Sequence, residues 1–391
     1  MLDTDFYLSA DALLALNFAT KFVLGAFFFF FFVQLFFFLA RYGRVAFAGV
    51  KDAEAAKVAA RRVGVSVVVC CHNNIEGLKA LLAQLAGQDH ERMEIVIVDD
   101  RSDDGGYDYL LAEAGRPNAQ FKLVRINETP EHLNAKKYAL TLGIKAAKHE
   151  LILLTDSDCL PATKSWVSAM VAGFAGGAEV VLGYSPYSAS SGALNSLVRF
   201  DTFFTGLQYL SFAMAGKAYM GVGRNLAYKK SFFLDNKGFR QHLGVMGGDD
   251  DLLVNTAAKG TKVAVVMEKD AMVISEPKGT FGAWWVQKVR HLSVGKKYRR
   301  GDQFSLGLAM LSLVGFYACT LALVWVPTLT FLVLLTFLVR TLVVTIIYVR
   351  SSRRMSERFG WYQWPLLDAW MPIHYIVFGL PAIFSKRISW S

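Results

Sequence analysis

The sequence predicts an α/β domain built on a parallel sheet and flanked by membrane-spanning helices. Three observations carry this prediction. Strand-like and helix-like segments alternate from residue 62 onward, which is typical of parallel sheets with right-handed crossovers. Long uncharged apolar runs lie toward both ends of the 391-residue chain. Polar and acidic residues recur where predicted strands end, at the edge where open α/β sheets bind ligands.

The first apolar run extends from Phe22 to Ala40 and contains six consecutive phenylalanines. It has roughly the 20 apolar residues that a bilayer-spanning helix needs. The preceding residues include Asp3, Asp5 and Asp11, whereas a secretory signal peptide begins with basic residues and ends at small ones. We therefore expect a retained membrane helix, with a buried core helix as the alternative.

Three further apolar segments follow the central part of the chain. Phe304–Trp325 and Thr328–Val349 are separated by one short break and predict a tight transmembrane hairpin. The segment Trp364–Phe384 also contains Asp368 and His374, so it is open to three interpretations: a span, a re-entrant segment or an interfacial helix. Ionisable residues inside a membrane pair with one another, and we expect these two to be buried partners rather than catalytic groups.

Basic residues flank the apolar segments and predict their orientation. They are Arg41, Arg44 and Lys51 after the first segment, Lys296, Lys297, Arg299 and Arg300 before the second, and Arg350, Arg353 and Arg354 after the third. The positive-inside rule places these groups, and the block between them, in the cytosol. We expect an integral protein of a bacterial inner membrane whose net charge of +10 meets anionic membrane lipids. Motifs of nucleic-acid binders are missing from the sequence, so no nucleic-acid partner is expected.

The four cysteines suggest packing rather than chemistry. They are Cys70, Cys71, Cys159 and Cys319, and none forms the C-x-x-C spacing of a zinc site. A cytosolic domain keeps such thiols reduced, so no disulfide is expected.

The central block has strands of β-branched and apolar residues with helices between them. Strands are predicted at Val63–Cys70, Met93–Val98, Phe121–Ile126, Leu151–Leu154 and Val180–Gly183, with another ending at Tyr228, and helices at Glu76–Leu85 and Leu133–Lys148. Polar groups follow three strands, at 72–74, 99–100 and 156–158. The carboxyl ends of parallel strands meet at one sheet edge, so these groups should form one crevice rim.

The run that ends in Asp156 and Asp158 is the most informative motif. Four apolar residues lead into two carboxylates separated by one residue. Side chains at i and i+2 of an extended segment point the same way. The pair suits one hard cation, Mn²⁺ or Mg²⁺, with diphosphate oxygens completing its shell. A plain polar loop is the alternative.

Two later motifs add charge to the same crevice. Asp249, Asp250 and Asp251 are consecutive, and they are either a solvated helix start or a cleft in which one carboxyl group has a raised pKa and acts as a base. Gln287 and Arg290 lie one helical turn apart, in a segment rich in tryptophan and basic residues. That segment is either an interfacial amphipathic helix or a wall that closes over a diphosphate.

Several common classes of enzyme, and membrane transporters, do not fit the sequence. The first strand is not followed by G-x-G-x-x-G, and the Walker sequence is missing as well, which argues against a Rossmann dehydrogenase or a P-loop ATPase. The G-x-S-x-G elbow of α/β-hydrolases is missing too. A transporter would carry charges on broken membrane helices, whereas the acidic motifs here lie outside the apolar segments.

The ordered motifs resemble those of membrane-embedded family 2 glycosyltransferases, the group of ceramide glucosyltransferase, hyaluronan synthase and cellulose synthase. The resemblance covers residues 62–297 and implies a GT-A fold, a Rossmann-like mixed sheet in the cytosol flanked by transmembrane helices. It divides the chain into an anchor (1–45), a GT-A domain (46–280), interfacial helices (281–303) and a membrane segment (304–391). It also implies a nucleotide-sugar donor, Mn²⁺ or Mg²⁺, and an inverting transfer.

The resemblance also assigns site residues. It implies a base at Asp250 beside Asp249, and a metal ion on Asp156 and Asp158. The donor would be held by Cys70, His72, Asn73, Asp99, Asp100, Lys136 or Lys137, Asp156, Arg224, Gln287, Arg290 and His291. Asp99 and Asp100 would contact the uracil and ribose of a UDP-sugar, and the lysine would lie near its phosphates.

One position departs from the family pattern. His291 replaces the tryptophan of the Q-x-x-R-W motif, which the family implies to stack near the acceptor sugar of polymer-extending members. The number of predicted spans is also small for a polysaccharide channel. We therefore favour transfer of one sugar to a lipid acceptor. The alternative is a processive polysaccharide synthase that extends and exports a growing glycan.

Overall fold

The computed structural model describes residues 16–49, 53–116, 121–131, 133–243, 245 and 247–385. The acidic amino terminus, Lys51 and the last six residues, all part of the predictions above, lie outside these ranges. Within them, the chain forms an α/β domain between four helices that are long and apolar enough to cross a membrane.

The strands of the α/β domain lie close to the predicted positions. They are β1 (Val65–Cys71), β2 (Met93–Asp100), β3 (Phe121–Ile126), β4 (Leu151–Asp156), β5 (Cys159–Pro161), β6 (Val180–Gly183), β7 (Leu226–Lys229), β8 (Val263–Val266) and β9 (Val273–Ser275). The first strand begins later than predicted because residues 61–64 turn away from the preceding helix, with the Val63 N–H donating to the Ala60 carbonyl at 2.9 Å.

The helices connect these strands and form the apolar segments. In chain order they are α1 (Phe18–Ala46), α2 (Ala53–Ala60), α3 (Ile75–Ala86), α4 (Gly106–Ala114), α5 (Ala135–Ala146), α6 (Trp166–Ala172), α7 (Ala193–Met214), α8 (Lys230–Asp235), α9 (Asp251–Ala257), α10 (Phe281–Val294), α11 (Arg300–Leu323), α12 (Thr330–Arg354) and α13 (Gln363–Phe384).

The main sheet is mixed. Its strand order across the described residues is β3-β2-β1-β4-β7-β6-β8. The first four strands are parallel, which confirms the prediction for that half. The strand β7 is antiparallel to both of its neighbours, and β6 and β8 are parallel to each other. Because four adjacent strands run the same way, their carboxyl ends form one continuous edge, where the predicted polar groups lie.

The helix α5 packs tightly against the centre of the sheet. A Cβ atom on Gly143 of this helix would lie only 2.6 Å from a methyl group of Val68 and 2.8 Å from one of Val98. Only glycine therefore permits this approach. The close packing holds the first turn of α5 at the carboxyl edge of β1 and β2.

The long apolar helices match the predicted segments, with shifted ends. The helix α1 extends beyond the predicted run on both sides, and α11 and α12 are joined by a short turn around Pro327. The fourth segment is one helix of 22 residues, α13, and is long enough to cross a membrane. Side chains such as Phe22, Leu338 and Ile376 are exposed on the outer faces of these helices, as expected for surfaces in contact with acyl chains.

A buried polar network connects all four apolar helices. The Arg340 guanidinium of α12 is fully buried and forms an ion pair with Asp368 of α13. Arg340 also donates to Gln34 of α1 at 2.6 and 2.9 Å. The hydroxyls of Tyr317 and Tyr348 donate to the Asp368 carboxylate at 2.7 and 3.0 Å. Asp368 is therefore a buried bundle partner, as the sequence predicted, and each charge has several partners.

Removing the cation from this network should destabilise the helix bundle. Breaking a buried ion pair by deleting one partner costs about 3–5 kcal/mol, so Arg340→Ala should lower the free energy of unfolding by about that amount. Unfolding in detergent, followed by circular dichroism during titration with dodecyl sulfate, measures the change. The exposed Arg353 of the same helix offers the control Arg353→Ala, and equal stability of the two variants would contradict a structural role for the network.

Candidate active site

A cavity of about 1700 Å³ opens at the carboxyl edge of β1, β2 and β4. Its walls are completed by the loop before α9, by α10, and by faces of α7, α11 and α13. The predicted residues that line it are Cys70, His72, Asp100, Lys136, Asp156, Asp158, Arg224, Asp249, Asp250, Gln287, Arg290 and His291. Twelve of the fifteen predicted site residues, spread over most of the α/β domain, therefore meet around one space.

The carboxylates of Asp156 and Asp158 lie at the end of β4. Together with Cys159 they offer three ligand atoms within 4.8 Å of one another. Asp156 is half-buried and Asp158 is exposed to the cavity. Burial raises the pKa of the Cys159 thiol, which therefore stays protonated near neutral pH and is a poor ligand for a hard cation.

The donor set at this position fits Mg²⁺ or Mn²⁺. Two carboxylates separated by one residue supply hard oxygen ligands, and the open side of the cavity leaves room for further oxygen donors. Such ions take few protein carboxylates and complete their shells with water or phosphate oxygens. The residues present are therefore compatible with the divalent ion that the resemblance implies.

Lys136 is the cation at the centre of the acidic cluster. Its Nζ atom lies 3.0 Å from Asp156 Oδ1 and 3.5 Å from Asp249 Oδ2. Burial by itself lowers the pKa of Lys136, but Asp156, Asp249 and Asp250 raise it well above its usual value. For Asp156 the effects are also opposed. Burial raises its pKa, but the positive charges of Lys136 and Arg224 have the larger effect, so the pKa of Asp156 is lowered. Both groups are therefore charged at neutral pH.

Lys137, the alternative lysine, has a different environment. It is fully buried, and its Nζ atom donates to the backbone carbonyls of His242 and Val245 at 2.7 and 2.8 Å. Burial lowers its pKa to about 8, although Asp249 and Asp250 oppose that change. Lys137 therefore anchors the loop before α9 and does not line the cavity, whereas Lys136 does.

The acidic triplet lies at the start of α9, and all three residues also line the cavity. Asp250 is the N-cap of α9: its Oδ1 accepts from the Asp251 N–H at 2.8 Å and its Oδ2 from the Gly223 N–H at 2.6 Å. Burial, followed by repulsion from Asp249, raises the pKa of Asp250 to about 6, while Lys136 opposes the rise. Asp251 accepts a hydrogen bond from the Tyr298 hydroxyl at 2.8 Å. Asp250 is thus a carboxylate that two backbone N–H groups hold in place and whose pKa is raised.

Asp99 and Asp100, which end β2, have different environments. Asp100 lines the cavity and accepts from the Arg101 guanidinium at 2.8 Å. Asp99 is buried outside the cavity lining, and its carboxylate oxygens have no partner among the described residues. His72 Nδ1 lies 2.6 Å from the Asp100 carbonyl. Asn73 does not line the cavity either; its side chain accepts from the Asp103 N–H and supports this turn.

The far wall is cationic and comes from α10 and the segment before β7. Gln287, Arg290 and His291 lie on the cavity face of α10. Arg224 approaches from the opposite side and stacks over the ring of Tyr187 at 4.6 Å. Desolvation within the cavity wall, together with nearby cations such as Arg290, lowers the pKa of His291, although part of this side chain is exposed. His291 is therefore neutral at physiological pH.

Tyr187 is a cavity residue that the sequence did not reveal. Its hydroxyl lies 3.4 Å from Gln287 Nε2, and its ring faces Arg224. It follows β6 in an irregular segment, without a motif or a periodicity to single it out. Residues 183–190 contain two tyrosines among three serines, one glycine, one proline and one alanine, and this composition was the only available signal.

A sequence model and a solved structure indicate the same fold. The sequence model "Glycosyl transferase family 2" matches residues 66–235. A mannosyltransferase from Pyrobaculum calidifontis, solved with GDP-Man and Mn²⁺, is similar over 94% of this chain and 99% of its own, with 16% identity and a TM-score of 0.57. S. aureus TarS 1-349 aligns with 80% of this chain and 92% of its own at 16% identity, with a TM-score of 0.41. No curated protein matched the sequence.

Loss of the Lys137 anchor should loosen the loop before α9. In Lys137→Met two carbonyls lose their donor, and each unsatisfied buried group costs about 1–3 kcal/mol. We expect a lower melting temperature and faster trypsin cleavage after the exposed Arg240, measured by scanning fluorimetry and peptide mapping. The control is Lys145→Met, an exposed position in the last turn of the same helix. Equal cleavage rates in both variants would contradict the anchoring role.

The sequence model covers residues 66–235, which contain six of the seven strands of the mixed sheet. The chain therefore contains a glycosyl transferase family 2 domain of GT-A fold, which lies between apolar helices long enough to cross a membrane.

Proposed function

We propose that this glycosyltransferase moves one sugar from a nucleotide sugar, a UDP-sugar in our expectation, to the hydroxyl group of a lipid. The reaction inverts the anomeric carbon and takes place at the cytosolic face of a bacterial inner membrane. One observation supports the proposal above all others: the cavity that holds the acidic cluster and Lys136 continues along the faces of α11 and α13. Both helices are long and apolar enough to cross a membrane.

Side chains around the sheet edge would hold the donor. Asp100 and His72 lie at the rim where the nucleoside would bind, and Lys136 lies between that rim and the acidic loop. Asp156 and Asp158 would hold Mn²⁺ or Mg²⁺, which when bound neutralises charge on the diphosphate. The cationic side chains of Arg224 and Arg290 line the same space and would attract the anionic leaving group.

Asp250 would act on the acceptor. Backbone N–H groups of Gly223 and Asp251 fix its carboxylate, so the group is positioned without a conformational search. It would take the proton of the lipid hydroxyl as the oxygen attacks the anomeric carbon. The new carbon–oxygen bond forms on the face opposite the breaking bond to the diphosphate. Lys136 and Arg290 would stabilise the negative charge that the leaving group gains.

Two features favour a lipid acceptor over a growing polysaccharide. His291 occupies the position at which polymer-extending relatives are expected to have tryptophan, and it is small and neutral. The described residues contain four candidate membrane helices, which is few for a polymer channel. Long glycan chains among the products would overturn this choice.

The direct test is a product assay with purified protein in lipid nanodiscs. Radiolabelled UDP- and GDP-sugars would be offered with a membrane lipid extract, and with Mn²⁺ or Mg²⁺ after chelator treatment. Mass spectrometry should find a lipid that carries one additional sugar, and only when a divalent ion is present. Failure of every donor to modify any lipid would reject the proposed function.

Replacement of the proposed base should separate binding from turnover. The variant Asp250→Asn keeps the size of the side chain but cannot accept a proton, so transfer should fall by about 10²–10⁴-fold. Donor affinity, measured by calorimetry, should change little. The control Asp235→Asn alters an exposed aspartate at the end of α8 and should leave both quantities unchanged. Unaffected turnover in Asp250→Asn would remove Asp250 as the base.

The raised pKa of Asp250 predicts a specific pH profile. A base must be deprotonated, and burial together with Asp249 raises the pKa of Asp250 to about 6. Transfer should therefore be maximal above this pH and should fall as the pH is lowered through about 6. The rate under donor saturation gives the profile. In Asp249→Asn one repelling charge is lost, so the acidic limb should move to lower pH; an unshifted limb would contradict this assignment.

A further inference from the structure

We propose that one part of the cavity, which we call the membrane arm, binds the apolar chain of the acceptor. The membrane arm is defined by six lining residues: Leu306, Gly307 and Met310 of α11, and Met371, Gly379 and Ala382 of α13. This inference rests on the proposed function and names the part of the acceptor that the protein recognises. The occupant is one hydrocarbon chain of a lipid that carries a free hydroxyl.

Helical periodicity explains how the arm is built. The α11 residues Leu306, Gly307 and Met310 are spaced i, i+1 and i+4, and Met371 and Gly379 of α13 lie two turns apart. Residues at such spacings share one helix face. The two helices thus turn these apolar positions, together with His374 and Tyr375 of α13, toward the same space. Other positions on these helices, such as Leu311 and Ile376, are exposed, so the arm is a second apolar surface.

Two glycines keep the arm open. A Cβ atom on Gly307 would have no neighbour within 4 Å, and one on Gly379 would meet only Met310 Sδ at 3.9 Å. A glycine inside a helix makes that helix less stable than an alanine at the same position would. No atom occupies the position of the missing side chain at Gly307, and only one approaches it at Gly379, so both positions leave the arm open.

Polar groups line the cavity beside the arm. They include Gln208 of α7, whose side chain binds the hydroxyls of Tyr42 and Tyr219, the Lys288–Asp201 ion pair, and His374 of α13, which lies 3.4 Å from Asp201. A lipid with a polar head near Asp250 and a hydrocarbon tail along α11 matches a cavity with both kinds of lining.

The groups around Asp250 suit an acceptor with a hydroxyl group. Asp249, Asp250 and Asp251 are adjacent, Lys136 contacts Asp249, and Asp249 also interacts electrostatically with Lys137 and Arg290. Lys288 pairs with Asp201 at 2.7 Å. A hydroxyl group placed beside Asp250 can donate a hydrogen bond to its carboxylate.

Photolabelling tests occupancy of the arm without relying on turnover. The full-length protein in nanodiscs is irradiated with hexadecanol that carries a diazirine near the end of its chain, and labelled peptides are mapped by mass spectrometry. Label is expected at the six residues that define the arm and not at their outward-facing neighbours. The variant Gly307→Phe fills the arm. Exclusion of two or more methylene groups, at about 0.8 kcal/mol each, should reduce labelling there roughly tenfold.

A matched control lies on the same helix. A Cβ atom on Gly301 also has no neighbour within 4 Å, but the residue is exposed and does not line the cavity. Gly301→Phe should label like the natural protein. Labelling of Leu311 and Ile376, which face outward, should be equally low in all proteins. Equal labelling of the arm in Gly307→Phe and the natural protein, or label confined to the outward residues, would overturn the inference.

A second substitution covers the case in which Gly307→Phe does not fold. Met310→Trp narrows the arm from the same helix and should reduce labelling in the same way. Nucleotide-sugar binding, measured by calorimetry, should be unchanged in either variant because the donor residues are not altered. Arm labelling in a protein that glycosylates no lipid would reject the proposed function, whereas lipid glycosylation without arm labelling would reject only this inference.

Discussion

The contacts of Lys136 are the interaction on which the active site depends. Asp156 ends a strand, Asp249 precedes a helix, and 92 positions separate them in the chain. Two carboxylates that approach the same point would repel one another if no cation lay between them. The ammonium group of Lys136 contacts both, and its position follows from the close packing of α5 on the sheet at Gly143. The local electrostatics of the site thus originate in a packing constraint of the core.

A second set of buried charges holds the apolar helices together. Arg340 and Asp368 bring α12 and α13 together, and Gln34 extends the network to α1. Ion pairs of this kind are expensive in an apolar medium unless all their hydrogen-bonding groups find partners. Here tyrosine hydroxyls and an amide complete the set. The network fixes how the helices are arranged around α11 and α13, and so it also fixes the shape of the space between those two helices.

The first half of the fold could be predicted from the sequence, and the second half only in part. Four strands of strongly apolar composition and helices between them leave little choice but a parallel arrangement. The later strands have only three or four residues each, too few for alternation to reveal their direction, and their antiparallel pairing depends on contacts distant in the chain. Helix ends near the membrane differed by a few residues because apolar composition does not mark where the last turn stops.

The site residues, too, could be predicted from the sequence only in part. Motif order identified the acidic groups that line the cavity, but could not distinguish Lys136 from Lys137, since consecutive residues of a helix turn point in different directions. Alternation along β2 was a usable signal for Asp99 and Asp100: neighbouring strand residues face opposite sides, so only one of the two could line the cavity. Tyr187 lies in an irregular segment, where sequence periodicity carries no information.

The cavity has one wall of strand ends and another of apolar helices, and this difference has a kinetic consequence. A water-soluble donor and an acceptor dissolved in the bilayer would arrive from different phases and need not compete for one entrance. The relevant concentration of the acceptor is then its mole fraction in the surrounding lipid rather than its amount per unit volume. Dilution of the acceptor with inert lipid at constant total acceptor would slow such an enzyme, whereas a larger assay volume would not.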